Sequence, residues 1–243
     1  MTHYVAGVDG CPAGWIAVIH PLSRPASAHL VLFSSFRDVL EHQPELNTIA
    51  VDIPIGLPDR AGAGGRAADR EARSVLGQRQ SAVFAVPSRR AIMCENYRDA
   101  CDAAYATSDP PRKISKQAFN IFPKIRDVDA IITPAMQARV FEAHPEIAFW
   151  CLNGEVPLRL AKKIKSRPSP EGLDYRRALL RTNGYPEAVL LSSEFRKSKV
   201  GPDDILDACA NAWSAVRIHT NLARCFPEKP ERDAKGLRME IWG

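Results

Sequence analysis

The first 56 residues constrain the fold most, because they contain four apolar runs of strand length with little chain between them. The runs are 4–8, 15–20, 29–33 and 48–56. Glycine and proline separate the first three runs, which favours an antiparallel meander. Ser34 or Ser35 is placed to cap a helix before the fourth run, and a helix leading into an apolar strand is typical of a parallel crossover. The order β-β-β-α-β therefore predicts an α/β fold with a mixed sheet of three antiparallel strands followed by parallel strands.

The rest of the chain is predicted to be largely helical. The main elements are a helix at 88–108, a strand at 139–146, a helix at 202–220 and a last strand near 237–242. We expect one domain over residues 1–243, with an inserted helical segment at about 59–135 and a second insertion at about 150–200.

Length and composition exclude several classes of protein. Apolar residues make up 45% of the 243 residues, which is too many for a disordered chain. The six cysteines include no Cys-x-x-Cys pair and no zinc-finger spacing. The amino terminus lacks the features of a signal peptide, and no apolar stretch approaches the ~20 residues that span a bilayer. We therefore expect a cytoplasmic protein with reduced thiols and no association with membranes.

Acidic residues stand in segments that should otherwise be apolar. Asp9 ends the first strand, Asp52 interrupts the fourth apolar run, and Glu142 lies in the later strand. A buried carboxylate is costly unless it is paired or bound to a metal. For any one of these residues, a strand-end cap or a salt bridge is an equally good explanation. Their recurrence in successive strands favours a common site.

Two further acids lie at the start of the best-defined helix. Asp204 and Asp207 are three residues apart and share a helix face. An alternative explanation is that acids at the start of a helix complement the helix dipole. This explains Asp207 poorly, because Asp207 lies one turn after the start of the helix. Hard cations such as Mg²⁺ and Mn²⁺ prefer oxygen ligands, and two such ions about 4 Å apart can cleave a phosphodiester. We predict that these two acids, with Asp9 and Asp52, are catalytic and bind Mg²⁺ or Mn²⁺.

Eight segments resemble, in order, the motifs of the family of predicted RNase H-like nucleases, also called domain of unknown function 429. They are GVDGCPAGW (7–15), VDIPIGLP (51–58), DREARSVLG (69–77), AVFAVPSR (82–89), QAFNIFPKIRDVD (117–129), EAHPEIAF (142–149), DDILDA (203–208) and GLRMEIW (236–242). The resemblance implies an RNase H-like mixed sheet with helices on both faces and a helical insertion. Ala68 stands where the family pattern leads us to expect a cysteine, and this departure affects no proposed metal ligand.

The resemblance also implies roles for the acids. The first strand supplies Asp9, which would bridge two metal ions, and the fourth supplies Asp52, which would hold one of them. The pair Asp204 and Asp207 is similar to the arrangement in RuvC-type Holliday-junction resolvases and would hold the other. Because RuvC-type enzymes work as dimers, a homodimer is a further expectation.

The segment EAHPEIAF adds three candidate catalytic residues. Glu142 and His144 share a strand face by alternation, and Glu146 follows directly after Pro145. Mainly on the resemblance, each is assigned as a metal ligand, a general base or a group that positions water. The alternative is that His144 bonds a turn and Glu146 caps the next helix.

Basic residues cluster in the inserted segment. Those assigned to nucleic-acid binding are Arg66, Arg70, Arg73, Arg89 and Lys124. Arginine forks suit phosphate oxygens, and the formal charge of +5 permits an anionic partner without requiring one. A solvated helix with local ion pairs is an equally good explanation. A second basic run contains Lys162, Lys163, Lys165 and Arg167, for which an exposed loop or helix end is the favoured interpretation.

These features together predict a metal-dependent phosphodiesterase that cleaves nucleic acid by two-metal hydrolysis. Two alternatives stay open. Sugar kinases and other actin-like ATPases also begin with an Asp-Gly strand motif and use Mg²⁺, although they normally need two such domains, and 7–15 lacks their Ser/Thr-rich turn. The other alternative is a non-catalytic binding protein on an RNase H-like fold.

Overall fold

The main sheet has five strands and both strand orientations. The computed structural model describes residues 2–164 and 167–243, so Lys165 of the second basic run lies outside the described residues. The strands are β1 (Tyr4–Cys11), β2 (Gly14–Pro21), β3 (His29–Phe33), β4 (Leu46–Val51) and β5 (Val140–Glu142). Their order is β3-β2-β1-β4-β5. Strands β1, β2 and β3 are antiparallel, whereas β4 is parallel to β1 and β5 is parallel to β4, which confirms the predicted mixed sheet.

Strand β1 lies in the middle of the sheet because its side chains are apolar on both faces. Val5, Ala6 and Val8 are fully buried. Val8 is opposite Ala17 of β2 on one side and opposite Val51 of β4 on the other. A strand that is buried on both faces has a nearly continuous apolar run, as this one does.

A short helix makes the crossover from β3 to β4. Helix α1 (Phe36–Leu40) begins after Ser35, whose side chain accepts a hydrogen bond from the backbone N–H of Asp38. Ser35 is one of the two capping residues that the sequence predicted, and such caps satisfy backbone donors that have no partner within the helix.

Helices also fill the chain between β4 and β5. They are α2 (Ala67–Val75), α3 (Arg89–Ile92), α4 (Tyr97–Ala106), α5 (Lys116–Asn120) and α6 (Phe122–Asp129), with 3₁₀ turns at Gly77–Ala82 and Met136–Ala138. The single helix predicted at 88–108 is therefore divided in two. The division occurs because the Asn96 side chain accepts a hydrogen bond from the backbone N–H of Asp99 and starts a new helix.

The last hundred residues add helices and two small hairpins. They form α7 (Pro145–Leu152), β6 (Lys163–Ile164), β7 (Arg167–Pro168), α8 (Pro170–Thr182), α9 (Glu187–Leu190), α10 (Pro202–His219), β8 (Cys225–Phe226) and β9 (Ile241–Trp242). The strand predicted at 139–146 ends early because Pro145 begins a helix. The last strand covers only β9, which pairs with β8, and its Trp242 also forms a parallel bridge with Ala143 just after β5.

Helices pack on both faces of the sheet. On one face, Trp15 and Ile19 of β2 pack in the same core as Phe122 of α6. On the other face, Ile16 of β2 packs with α10 and with Phe149 of α7. No helix in the described ranges has both the length and the apolar character needed to cross a membrane.

Helix α10 approaches β1 unusually closely at Gly7. A Cβ atom at Gly7 would lie 1.9 Å from the backbone nitrogen of Ala212 and 2.1 Å from the carbonyl oxygen of Ala208. The Asn211 side-chain amide also donates to the carbonyl oxygen of Val8, at 3.0 Å. Only glycine permits this contact, which places the first turns of α10 close to Asp9 at the end of β1.

Candidate active site

A cavity opens at the carboxyl ends of the parallel strands. Its volume is about 480 Å³, and the predicted residues in its lining are Asp9, Asp52, Arg66, Lys124, Glu142, His144 and Glu146. In α/β folds, ligands bind in the crevice beyond the carboxyl ends of the strands. The cavity is therefore the candidate site, and strands and helices from distant parts of the chain contribute side chains to it.

Strand register explains why Asp9 and Asp52 meet. Val8 is the register partner of Val51, and the Asp52 N–H donates to the carbonyl oxygen of Val8 at 3.0 Å. Successive side chains of a strand point to opposite faces, so Asp9 shares the face of Gly7, on which α10 packs. The two predicted acids thus lie side by side on the α10 face of the sheet.

The same register separates Glu142 from these acids. Glu142 is the register partner of Val51, so its side chain points to the opposite face from Asp52. There it meets Arg66, with Arg66 Nη2 2.5 Å from Glu142 Oε1, and its Oε2 accepts a hydrogen bond from the N–H of Ile55 at 2.6 Å. Both carboxylate oxygens of Glu142 are engaged, and the structure gives this residue a structural contact instead of a place beside Asp9.

Arg66 is buried between two carboxylates. Its side chain is 1% exposed, and Nη2 lies 2.7 Å from Asp69 Oδ1 in addition to its contact with Glu142. The other Asp69 oxygen accepts hydrogen bonds from the N–H groups of Arg66 and Val86, each at 2.9 Å. These contacts contradict the prediction that Arg66 binds phosphate, because its guanidinium is shielded and fully used inside the protein.

Arg89 also makes ion pairs within the protein. Its guanidinium contacts the carboxylates of Asp129 and Asp233, and it does not line the cavity. Arg70 donates to the carbonyl oxygen of Gly65, and Arg73 donates to that of Gly64. Both arginines thus hold the loop that precedes α2. Two carboxylates hold Arg89 in place outside the cavity, and its predicted phosphate contact stays a prediction.

Asp204 and Asp207 extend from the first turns of α10. Asp204 Oδ2 accepts a hydrogen bond from the N–H of Gly201 at 2.8 Å, so it also caps the helix. Asp207 is 2% exposed. Burial raises the pKa of Asp9 well above its usual range, and the negative charges of Asp52, Asp207 and Asp204 raise it further. The charges of all three act on Asp9, so the four acids predicted as metal ligands lie in one region, and of the four, Asp9 and Asp52 line the cavity.

Glu146 is a fifth carboxylate of this group. Burial raises the pKa of Asp207 to about 6. The charge and hydrogen bond of Lys162 oppose this effect, and the charges of Asp52 and Glu146 add to it. Glu146 is 4% exposed, and its Oε1 accepts a hydrogen bond from Nη2 of the fully buried Arg176 at 2.5 Å. We call the five carboxylates of Asp9, Asp52, Glu146, Asp204 and Asp207 the acidic cluster.

His144 begins helix α7. The N–H of Glu146 donates to His144 Nδ1 at 3.1 Å, so the imidazole caps the helix. Its positive form would lower the pKa of Asp52, on which burial has the larger and opposite effect. His144 therefore has a structural role, as the alternative interpretation of the sequence proposed. That interpretation named Glu146 as the cap of α7, whereas the cap is His144.

Two lysines reach the same region, and the sequence did not indicate this. Lys162 Nζ forms an ion pair with Asp207 Oδ2, and Lys163 Nζ lies 2.6 Å from Asp203 Oδ2. Both line the cavity. Burial lowers the pKa of Lys162, but the charges of Asp207, Asp9 and Asp52 outweigh it and raise the pKa above its usual range. For Lys162, whose side chain is 28% exposed, the interpretation as a freely exposed loop residue is wrong.

Lys124 lies on another side of the cavity. Its Nζ donates to the carbonyl oxygen of Gly14 at 2.6 Å and lies 4.7 Å from the centre of the Trp15 ring. The aliphatic part of the side chain passes so close to Gly10 that a Cβ there would be 2.5 Å from Lys124 Cδ. Among the predicted nucleic-acid contacts, Lys124 is a cavity residue whose position suits contact with an anion.

The family model described as a protein of unknown function, DUF429, matches residues 7–232. This chain belongs to the DUF429 family. Searches of curated proteins and of solved structures returned no match. Family membership places no activity on the acidic cluster, so the case for its chemistry depends on its own geometry.

The donor atoms of the acidic cluster suit a hard divalent cation. Carboxylate oxygens are the ligands that Mg²⁺ and Mn²⁺ prefer. Asp207 Oδ1 and Glu146 Oε2 are buried and accept no hydrogen bond from any described residue, which is unusual for buried polar atoms. Yet within 2–164 and 167–243 no three His, Cys, Asp or Glu side chains are arranged to hold one ion. The donors fit the chemistry, and binding requires them to rotate toward a common point.

Proposed function

We propose that this DUF429 protein has an RNase H-like fold and is a metal-dependent phosphodiesterase that acts on nucleic acid. The observation that carries the proposal is the acidic cluster. Strand β1 contributes the buried Asp9, the end of β4 the half-buried Asp52, and α10 the buried Asp207 with the half-buried Asp204. The sheet order, with β1 between an antiparallel and a parallel neighbour, supports the fold assignment.

Asp9, Asp52, Asp204 and Asp207 would hold Mg²⁺ or Mn²⁺, and Glu146 offers a further oxygen. A bound divalent ion would supply Lewis acidity to activate water and to stabilise the leaving oxygen of a phosphodiester. Burial raises the pKa of Asp9, and the charges of the neighbouring carboxylates raise it further, so this environment favours a cation among them.

The residues around the cluster suit an anionic substrate. A volume of about 480 Å³ is within the usual range for small-molecule sites, and it would hold one nucleotide of a longer chain. Lys124 and Lys163 line this cavity and place positive charge where a phosphate would approach. Phosphate contacts of this kind position a nucleic acid without reading its sequence.

The test is cleavage of a panel of junction, flap, duplex, hybrid and single-stranded nucleic-acid substrates in Mg²⁺ or Mn²⁺. Wild type should cleave at least one of them, and Asp9→Asn should lower the rate by 100-fold or more, on the order of the loss of one transition-state interaction. Asp174→Asn is the matched control, because Asp174 is an exposed acid of α8 that pairs with Arg177. No cleavage by wild type, or equal cleavage by Asp9→Asn, would refute the proposal.

The two other functions give different results in the same samples. ATP turnover, or thermal stabilisation by ATP with Mg²⁺, would support a kinase-like enzyme. Tight binding of nucleic acid without cleavage in either metal would support a non-catalytic binding protein. Sedimentation of the purified chain tests the expected homodimer.

A further inference from the structure

Lys162 places a positive charge inside the acidic cluster. Its ammonium group contacts Asp207 Oδ2, and the charges of Asp9 and Asp52 act on it as well. Asp207 is 3% exposed at its side chain, so this ion pair is mostly shielded from water. The cluster therefore contains a cation supplied by the protein itself.

The backbone that carries Lys162 is held firmly against helix α8. The N–H of Ser169 donates to the carbonyl oxygen of Lys162 at 2.8 Å. The buried Arg176 donates to the carbonyl oxygen of Leu160 at 3.0 Å. At the start of α8, a Cβ on Gly172 would lie 1.9 Å from the carbonyl oxygen of Ala161. Three successive residues are thus anchored, which directs the Lys162 side chain into the cluster.

The ion pair of Lys162 limits how many divalent cations the acidic cluster can bind. Lys162 occupies one oxygen of Asp207, while Asp207 Oδ1 and Glu146 Oε2 have no hydrogen-bond donor among the described residues. Once the side chains rotate toward a common point, a first divalent ion would use these oxygens together with Asp9 and Asp52. A second would have to enter beside an ammonium group that is already in place, and repulsion between such close charges is strong where water is excluded.

We propose that Lys162 takes the place of a second cation, so that the site binds one divalent ion beside a fixed ammonium group. This replaces the two-metal arrangement expected from the sequence. The claim that the site binds one divalent ion rests on the proposed function. The role of Lys162 as the counter-charge of the acidic cluster does not require any metal.

The counter-charge is tested first without metal, by a double-mutant cycle in EDTA. Asp207→Asn should lower the melting temperature of the wild type, because it weakens the ion pair. In the Lys162→Met background the same change should raise it, because Asp207 is then an uncompensated buried charge. Lys163→Met with Asp203→Asn is the matched cycle, and its coupling should be smaller because Lys163 is 44% exposed. Additive effects at Lys162 and Asp207 would overturn the assignment.

Calorimetric titration with Mn²⁺ then tests the number of ions. Wild type, Lys163→Met and Lys162→Arg should each bind one ion per chain. Lys162→Met should bind a second ion, or bind the first at least about tenfold more tightly, because the fixed charge has been removed. Two ions in wild type, or identical titrations of Lys162→Met and Lys163→Met, would overturn the proposal. If no variant binds Mn²⁺, the proposed function and the claim that the site binds one divalent ion fail together, while the metal-free cycle still decides the role of Lys162.

Discussion

Asp9 is a buried residue of the acidic cluster on which like charges act. It is 8% exposed, and three neighbouring carboxylates raise its pKa beyond the effect of burial. Such an arrangement destabilises the protein unless a cation compensates it. The consequence can be measured in the protein before any substrate is known.

Asp9→Asn should stabilise the metal-free protein. The change removes one of the repelling charges and keeps an oxygen that can accept the hydrogen bond from Gly10. We expect a gain of about 1–2 kcal/mol in the free energy of unfolding at pH 7, measured by urea denaturation in EDTA. The Asp174→Asn control should change this value by less than about 0.5 kcal/mol. A loss of stability in Asp9→Asn would contradict the picture of crowded charges.

Arg66→Met should destabilise the protein strongly. The change leaves Glu142 and Asp69 as buried carboxylates without their common partner, which typically costs about 3–5 kcal/mol. Arg70→Met, which removes an exposed arginine of the same helix, should cost about 1 kcal/mol or less. Denaturant unfolding measures both. A stable Arg66→Met protein that loses only nucleic-acid binding would restore the phosphate-binding assignment.

His20 should give the protein a pH-dependent stability that is unrelated to the cluster. Its side chain is fully buried, with Nε2 3.3 Å from the Tyr185 hydroxyl, and burial lowers its pKa. Below the usual histidine pKa near 6.5 the unfolded chain binds a proton that the folded protein resists, so stability falls with decreasing pH.

In His20→Gln, stability should therefore depend less steeply on pH between 7 and 5, by at most about 1.4 kcal/mol per pH unit. His3→Gln changes an exposed histidine and serves as the control. Equal pH profiles for wild type and His20→Gln, from urea unfolding at each pH, would contradict the buried neutral state of His20.

At the scale of secondary-structure elements, the packing of α10 against β1 decides whether the acids meet. Gly7 is the contact point, and any side chain there would overlap the backbone at Ala208 and Ala212. A rigid helix cannot yield at one residue alone, so its first turns, with Asp204 and Asp207, would move away from Asp9.

Gly7→Ala should therefore affect both stability and metal response. Overpacking of this kind costs about 1–3 kcal/mol, and we expect the increase in melting temperature caused by Mn²⁺ to shrink at the same time. Gly62→Ala is the matched control, because a Cβ at Gly62 has no atom within 4 Å. Differential scanning fluorimetry with and without Mn²⁺ measures both effects. A destabilised Gly7→Ala protein that still shows the full increase in melting temperature with Mn²⁺ would mean that the metal site does not depend on the position of α10.

At the scale of the whole molecule, the acidic cluster links elements that belong to different cores. Asp9 lies near the end of β1, Asp52 directly follows β4, and α10 lies in the core on one face of the sheet. A cation bound among these acids stabilises the folded chain and not the unfolded one. Its effect should appear in the melting of the entire molecule.

Mn²⁺ at 100 times its dissociation constant should add about 2.7 kcal/mol to the free energy of unfolding, or about 5–11 °C to the melting temperature. The increase should depend on the logarithm of the metal concentration and should be absent in Asp9→Asn. Circular dichroism follows the transition at each concentration. An equal increase in Asp9→Asn would place the bound ion elsewhere.

Short-range signals identified the strands and the acids at their ends. Each strand has its own apolar pattern, and a carboxylate in an apolar segment is visible without any knowledge of its neighbours. The same is true of Asp204 and Asp207, which belong to one helix. For these residues the sequence was sufficient to propose a common site, because strand ends and helix starts are local features.

Only the tertiary structure decided which of the remaining residues belong to that site. Arg66 pairs with Glu142, 76 positions away in the chain, and Lys162 pairs with Asp207, 45 positions away. A partner at such a distance leaves no periodic trace in the sequence, since the contact depends on strand register and on how helices pack. The sequence was therefore sufficient to identify the acids of the cluster, but it did not identify Lys162 as the cation among them.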